Sequence, residues 1–244
     1  MRWGRRPADV PAAAASGPRT AIELTGVTHA YGERTVLRDV DLTVTESRVG
    51  VIGGNGSGKS TFARLLNGLV IPSVGSVRID GLDTRSQLRA VRRRVGFVFQ
   101  DPDAQIVHPT VAEDVEFGLT NLGVPPAERA RRVEEALVRF GLADHRDHPA
   151  HLLSGGQKQL LAIAGVLVMA PLRVVFDEPT TLLDLANTRH VARVIQALDE
   201  DVVVVTHDLD LLAGFDRVLV FDAGRVVADG GPEETIRWYV DSMT

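Results

Sequence analysis

The sequence predicts an α/β fold: one largely parallel, helix-covered sheet interrupted by a helical insert. Three observations predict it. Short β-rich runs alternate with helical patterns over most of the chain, and a glycine cluster sits between an apolar strand and an amphipathic helix. The alternation then lapses over about residues 101–153. Strands alternating with helices need crossover connections, which favour a parallel sheet covered on both faces.

Each element follows in order. Residues 1–20 (MRWGRRPADVPAAAASGPRT) carry positive charge and then alanines. Pro11 and Pro18 flank a run too short and too weakly apolar for a signal-peptide core, so this stretch is expected to be a disordered tail. One domain is expected over 21–244. Its β-rich runs begin at 21–24, 36–44, 49–52 and 77–79, and Phe62, Leu65, Leu66 and Leu69 mark a helix after the glycines. A strand is expected over 95–100. The insert carries a charged helix over 126–140 and a polar His/Asp loop. Helix and strand then alternate again over 154–170, 173–177, 184–198, 202–206, 217–222 and 225–228.

Composition narrows the function classes. A chain of 244 residues with a net charge of −5 lacks the basic balance typical of nucleic-acid binders, and no nucleic-acid partner is expected. Without cysteine, disulfides and cysteine-ligated zinc are excluded. The longest apolar run, 160–170, is about half of the roughly 20 residues a spanning helix needs. Any membrane crossing is therefore expected to belong to another chain.

The strongest local signal is Gly53-Gly54-Asn55-Gly56-Ser57-Gly58-Lys59-Ser60-Thr61, which matches GxxxxGK[ST] between a strand and a helix. Such glycines let backbone N–H groups close around phosphates at a helix N-terminus. Lys59 supplies a compact cation for β/γ-phosphates, and the Ser60 hydroxyl suits Mg²⁺. Lys59 and Lys158 are the only lysines among 27 basic residues, so lysine is kept here against a strong arginine bias. This is a phosphate-binding P-loop. Downstream, 174–179 reads VVFDEP, an apolar strand ending in two acids. At the C-terminal edge of a parallel sheet, Asp177 can hold Mg²⁺ through water and Glu178 can polarise an attacking water.

Leu153-Ser154-Gly155-Gly156-Gln157 opens the next helix. Ser154 and Gln157 form a capping-box pattern. Two glycines in a first helical turn are costly unless the backbone must approach something closely. LSGGQ with a P-loop upstream and VVFDEP downstream resembles the ABC ATPase family, over about residues 20–231. The resemblance implies a P-loop core with a mainly parallel sheet, a small antiparallel β lobe and an inserted helical subdomain. It implies ATP and Mg²⁺, and a head-to-tail pair with a second copy, in which Ser154, Gly155, Gly156 and Gln157 cap the γ-phosphate on the partner's P-loop. Rough lengths agree. A helix over 154–170 runs on the order of 25 Å while the returning strand covers about 16 Å, so Ser154 overshoots its own catalytic edge.

By the same resemblance Tyr31 stacks on adenine, although a plain strand-end tyrosine is the alternative. Gln100 touches Mg²⁺ and the attacking water, and His207 contacts the γ-phosphate. Asp184 crosses the dimer interface, in a loop reading Thr181-Leu182-Leu183-Asp184 where SALD is commoner. His145, His148 and His151 with Asp144 and Asp147 invite a metal site, against which stands a solvated loop. The segment 100–118 resembles ATPases of energy-coupling-factor importers, which implies a transmembrane scaffold and a substrate-binding membrane subunit as partners. Asp103, Ile106, Val107, Glu113 and Asp114 are the expected docking residues, at the cytoplasmic face of the membrane. Within that group 160–171 and 180–215 most resemble the biotin-importer ATPase, with cobalt or nickel ATPases next.

Overall fold

The computed structural model describes residues 21–243, and the expected tail lies outside them. The chain forms β1 (Ile22–Tyr31), β2 (Arg34–Val44), β3 (Arg48–Gly53), α1 (Lys59–Leu66), β4 (Val74–Ile79), β5 (Leu82–Asp83), α2 (Leu88–Arg94) and β6 (Val95–Val98). The insert supplies α3 (Val111–Asn121) and α4 (Pro126–Arg139). There follow α5 (Gly155–Leu167), β7 (Arg173–Asp177), α6 (Leu185–Gln196), β8 (Asp201–Val205), β9 (Arg217–Asp222), β10 (Arg225–Gly230) and α7 (Pro232–Ser242).

Two sheets result, in the orders β10-β9-β3-β8-β7-β6 and β2-β1-β4-β5. The larger is parallel except for the β9–β10 hairpin, and the smaller is antiparallel throughout. The period-two geometry of strands splits the central valines between two cores. Val49, Val51, Val175, Val203, Val205, Leu219 and Phe221 face the β lobe and α1, where Phe62, Leu65 and Leu66 are buried. Ile52, Val174, Phe176, Val202, Val204, Val218 and Val220 face α5, α6 and the insert. Each such side chain contributes roughly 1.5–3 kcal/mol on burial.

Close packing fixes the register of this sheet, apolar on both faces, since a Cβ at Gly50 would lie 2.7 Å from Leu212 and one at Gly96 2.3 Å from Val166, and a polar pair adds to it. Arg173 lies opposite Asp201 across β7 and β8 and bonds it at 3.1 Å. The same buried guanidinium reaches Asp80 of the β lobe at 3.5 Å and so ties the two sheets together.

Several expected boundaries move, each for a local reason. Helix α1 ends at Leu66, so Leu69 lies beyond it and is 41% exposed. Gly68 at φ +68 terminates the helix, with Gly68 N–H on Leu65 O and Leu69 N–H on Arg64 O. Strand β1 runs on to Tyr31 because register irregularities between Leu24 and Ala30 break the alternation that identifies a strand. Strand β6 stops at Val98, since the Gln105 side chain takes the Phe99 N–H at 3.2 Å. Helices α2 and α7 are additions to the expected set. The first is short and arginine-rich, and the second carries only one fully buried residue, Thr235.

Candidate functional site

The P-loop joins β3 to α1 at the C-terminal edge of the parallel sheet. Gly53 has φ +143, and a Cβ there would lie 2.1 Å from Phe221 O, so only glycine fits. Gly58, the residue before α1, has φ +108 and provides no side-chain cap. The first-turn N–H groups of Lys59, Ser60 and Thr61 have no intrahelical acceptor, which makes this helix start an anion site. Lys59 Nζ donates to Gly53 O at 2.7 Å and Gly54 O at 2.9 Å. Burial pushes its ammonium below the usual lysine range, partly offset by the Glu178 and Asp177 carboxylates. A buried cation of this kind gains from a nearby anion.

Asp177 ends β7, and its Oδ1 is buried without a hydrogen-bond partner, while Oδ2 has only Arg64 at 3.8 Å. A Mg²⁺ ion fits these residues. It keeps several waters and needs only one or two protein oxygens beside the phosphates. Asp177 and half-buried Ser60 supply oxygens of the right kind.

Glu178 stands one residue past the strand in the left-handed region, φ +53. Its N–H still bonds Val205 O at 2.8 Å, so the strained backbone extends the β7–β8 ladder and fixes where the side chain leaves it. Its Oε2 accepts from the Thr181 hydroxyl at 3.0 Å and from His207 N–H at 3.2 Å. Its Oε1 lies 3.1 Å from His207 Nε2. The structure thus brings Lys59, Asp177, Glu178 and His207 to one edge. Gln100 is exposed beyond β6 on the same side of the sheet. Tyr31 is exposed at the tip of the β1–β2 hairpin, its ring edge-on to His29. The hairpin adjoins the P-loop, with Arg34 Nη2 3.6 Å from the point a Cβ on Gly56 would occupy.

Ser154, Gly155, Gly156 and Gln157 form a second cluster. Ser154 caps α5 in a full capping box with Gln157. A Cβ on Gly156 would lie 2.2 Å from Asn187 Oδ1, so this glycine is required by α6. Asn187 is in turn held by Asp184, the N-cap of α6. Gly155 is different. Its Cβ would meet only Leu183 at 3.8 Å, so no contact among the described residues needs a glycine there. Among the described residues, no hydrogen bond or ion pair joins 154–157 or Asp184 to the P-loop.

The family profile described as ABC transporter matches residues 37–181, more than half of the chain. The chain belongs to the ABC transporter ATP-binding family. It is 48% identical over 209 residues to the biotin transport ATP-binding protein BioM of Rhizobium etli, covering 86% of this chain and 93% of that protein. It is 47% identical over 225 residues to the energy-coupling factor transporter ATP-binding protein EcfA1 of Symbiobacterium thermophilum, covering 86% and 78%. Among solved structures it is similar to cbiO1 from Clostridium perfringens, part of the ABC transporter complex cbiONQ. There the TM-score is 0.79 and the identity 34%, over 88% of this chain and 90% of that one. This is an ABC ATPase of the energy-coupling-factor type, an enzyme that hydrolyses ATP.

Two segments of the ABC ATPase gain contacts that the sequence does not show. Asp103 and Asp114, both expected at the docking surface, are each bonded within the chain. Asp103 takes Lys158 Nζ on both oxygens, at 2.7 and 3.0 Å, and Asp114 accepts the N–H groups of Val107 and His108 at 2.8 and 3.0 Å. Asp114 thereby holds its own loop. The segment leaves exposed two large apolar side chains, Val107 and Phe117, the latter ring against His108 at 4.9 Å, beside the exposed acids Asp101, Asp103 and Glu113. The histidine loop is largely solvated, with Asp144, Asp147, His148 and His151 exposed. His145 is half-buried against Gln157, and among the described residues no group of three metal-ligating side chains forms. Thr181 is a site residue that sequence reasoning missed, though its place three residues after Glu178 was a usable signal. Where SALD is the commoner loop, Thr181 keeps a hydroxyl on Glu178 while Leu182 and Leu185 stay exposed.

Proposed function

We propose that this ABC ATPase works as one of two copies that energise an energy-coupling-factor importer, bound at the cytoplasmic face of the membrane to a transmembrane scaffold and a substrate-binding membrane subunit. One observation carries the shared site. The start of α5 offers a bare glycine, Gly155, that no contact among the described residues needs, and no hydrogen bond or ion pair among them joins it to the hydrolytic edge. A second copy turned head to tail brings the two together.

In this reading Gly53, Gly54, Asn55, Gly56, Ser57, Gly58, Lys59, Ser60 and Thr61 wrap the phosphates, and Tyr31 stacks on adenine. Ser60, Gln100 and Asp177 would hold Mg²⁺, which would supply charge neutralisation at the phosphates. Glu178 polarises the attacking water, and His207, already in contact with it at 3.1 Å, holds its carboxylate in line. Ser154, Gly155, Gly156 and Gln157 close over the partner's nucleotide, and Asp184 braces the interface beside exposed Leu182 and Leu185. Exposed Val107 and Phe117 offer the scaffold an apolar seat.

Among the described residues no helix is long and apolar enough to cross a membrane, so cargo contacts fall to the partners. The stretches that resemble a biotin-importer ATPase, 160–171 and 180–215, build α5, α6 and β8 around the nucleotide edge. They serve hydrolysis whatever the cargo, and a transition-metal cation stands at least level with biotin. The test is uptake of labelled biotin and of labelled cobalt and nickel in a strain lacking this gene. Loss of one cargo, restored by the parental gene but not by Glu178→Gln, is expected. Normal uptake of all three in the deletion strain would sink the importer reading.

A further inference from the structure

The histidine loop has no place in the hydrolytic site, yet it touches the first turn of α5. Ser154 N–H donates to Gln157 Oε1 at 2.9 Å, and Gln157 N–H faces Ser154 Oγ at 3.3 Å. With its carbonyl end committed to the cap, the Gln157 amide nitrogen points at His145 Nε2, 3.1 Å away. An amide nitrogen only donates, so His145 Nε2 must present a lone pair. The ring's single proton then sits on Nδ1, which is buried without a partner. Turning the amide over would set its N–H groups against the Ser154 N–H, and a cationic ring would set N–H against N–H. Both alternatives replace a bond with a donor–donor conflict.

From this we infer that His145 is a positioning residue: its neutral imidazole orients the Gln157 amide and so locks the turn that carries Gly155 and Gly156. The inference rests on the reading that this turn faces the partner copy's nucleotide. The surroundings leave the ring without a charged partner. His148 meets it edge-on at 5.7 Å. Glu134 from α4 and Asp147 from the loop are engaged by Arg146, Lys158 from α5 by Asp103, and Glu113 from α3 by Thr110. Among the described residues no ion pair joins a carboxylate to His145. Protonation of this ring would set N–H against the Gln157 N–H and so break the lock.

Turnover of the full chain is measured at pH about 8 and about 5.5, with ratios to the parental protein taken at each pH so that titration elsewhere cancels. His145→Gln places a non-titrating acceptor at similar reach and is expected to keep turnover within about twofold at the higher pH. Its advantage over the parental protein should grow about threefold or more at the lower one. His145→Lys, a cation that only donates, should lower turnover about tenfold at both. A flat parental-to-Gln ratio, or parental turnover in the Lys variant, overturns the assignment. Ser154→Arg in parallel reports on the shared-site reading alone. If it stays active, that reading fails, whereas a flat ratio beside an inactive Ser154→Arg condemns only His145. Long-range ¹H–¹⁵N correlation on the parental protein keeps the test independent of mutant folding: the Nδ1–H tautomer is expected, and Nε2–H contradicts it.

Discussion

Glu178→Gln is expected to bind ATP normally and to turn it over at least about 10²-fold more slowly. The substitution conserves shape. A glutamine Oε1 can still accept from the Thr181 hydroxyl and from His207 N–H, and its amide can donate to His207 Nε2, so the three contacts of this side chain survive. Only the basicity is lost. Because the backbone at Glu178 is fixed by its bond to Val205 O, the amide should occupy the carboxylate's position without rearrangement. With hydrolysis blocked, the ATP-bound pair of chains should accumulate, since ATP then stabilises the assembled form by mass action. Steady-state phosphate release and size-exclusion chromatography with ATP check both halves. Parental phosphate release from Glu178→Gln would remove the residue from the chemistry.

Lys59→Ala is expected to fail one step earlier, at nucleotide binding. Its ammonium is buried, donates to two P-loop carbonyls and faces the Asp177 and Glu178 carboxylates. No other lysine is near enough to replace it, because the only other one, Lys158, is committed to Asp103. Losing a charge-assisted hydrogen bond of roughly 1.5–3 kcal/mol should weaken ATP about 10- to 100-fold. Calorimetric titration in a non-hydrolysing nucleotide analogue reads this directly, and an unchanged Kd would contradict it. The two variants thus separate along the reaction: one holds nucleotide without cleaving it, the other scarcely holds it.

The parts of this molecule most legible in the sequence are those where backbone geometry dictates residue type. Gly53 and Gly58 are forced by φ values of +143 and +108, and the loop they form is the one the glycine pattern predicts. The continuous apolar runs of β3, β7, β8 and β9 announce their strands because successive side chains enter two different cores. What escaped was of two kinds. Bulges in β1 spoil the period-two signal, and α7 buries too little to show a face. Contacts distant in sequence leave no local trace at all. Lys158 meets Asp103 across 55 residues, and Gln157 meets His145 across 12. Asp103 and His145 therefore each have a partner that only the fold supplies.

The central claim is that each ATP is held between two chains, and complementation between two dead variants tests it most directly. Ser154→Arg places a bulky cation at the bare start of α5 and should abolish turnover while leaving the chain's own P-loop intact. Lys59→Ala disables the P-loop and spares the α5 turn. A mixed dimer then contains one interface with both parts intact, so equal amounts pairing at random should recover roughly a quarter of the parental sites. Phosphate release from dimers verified as mixed, well above either variant alone, is the predicted result. Turnover by Ser154→Arg alone at the parental rate, or no recovery in the mixed dimers, would contradict the account.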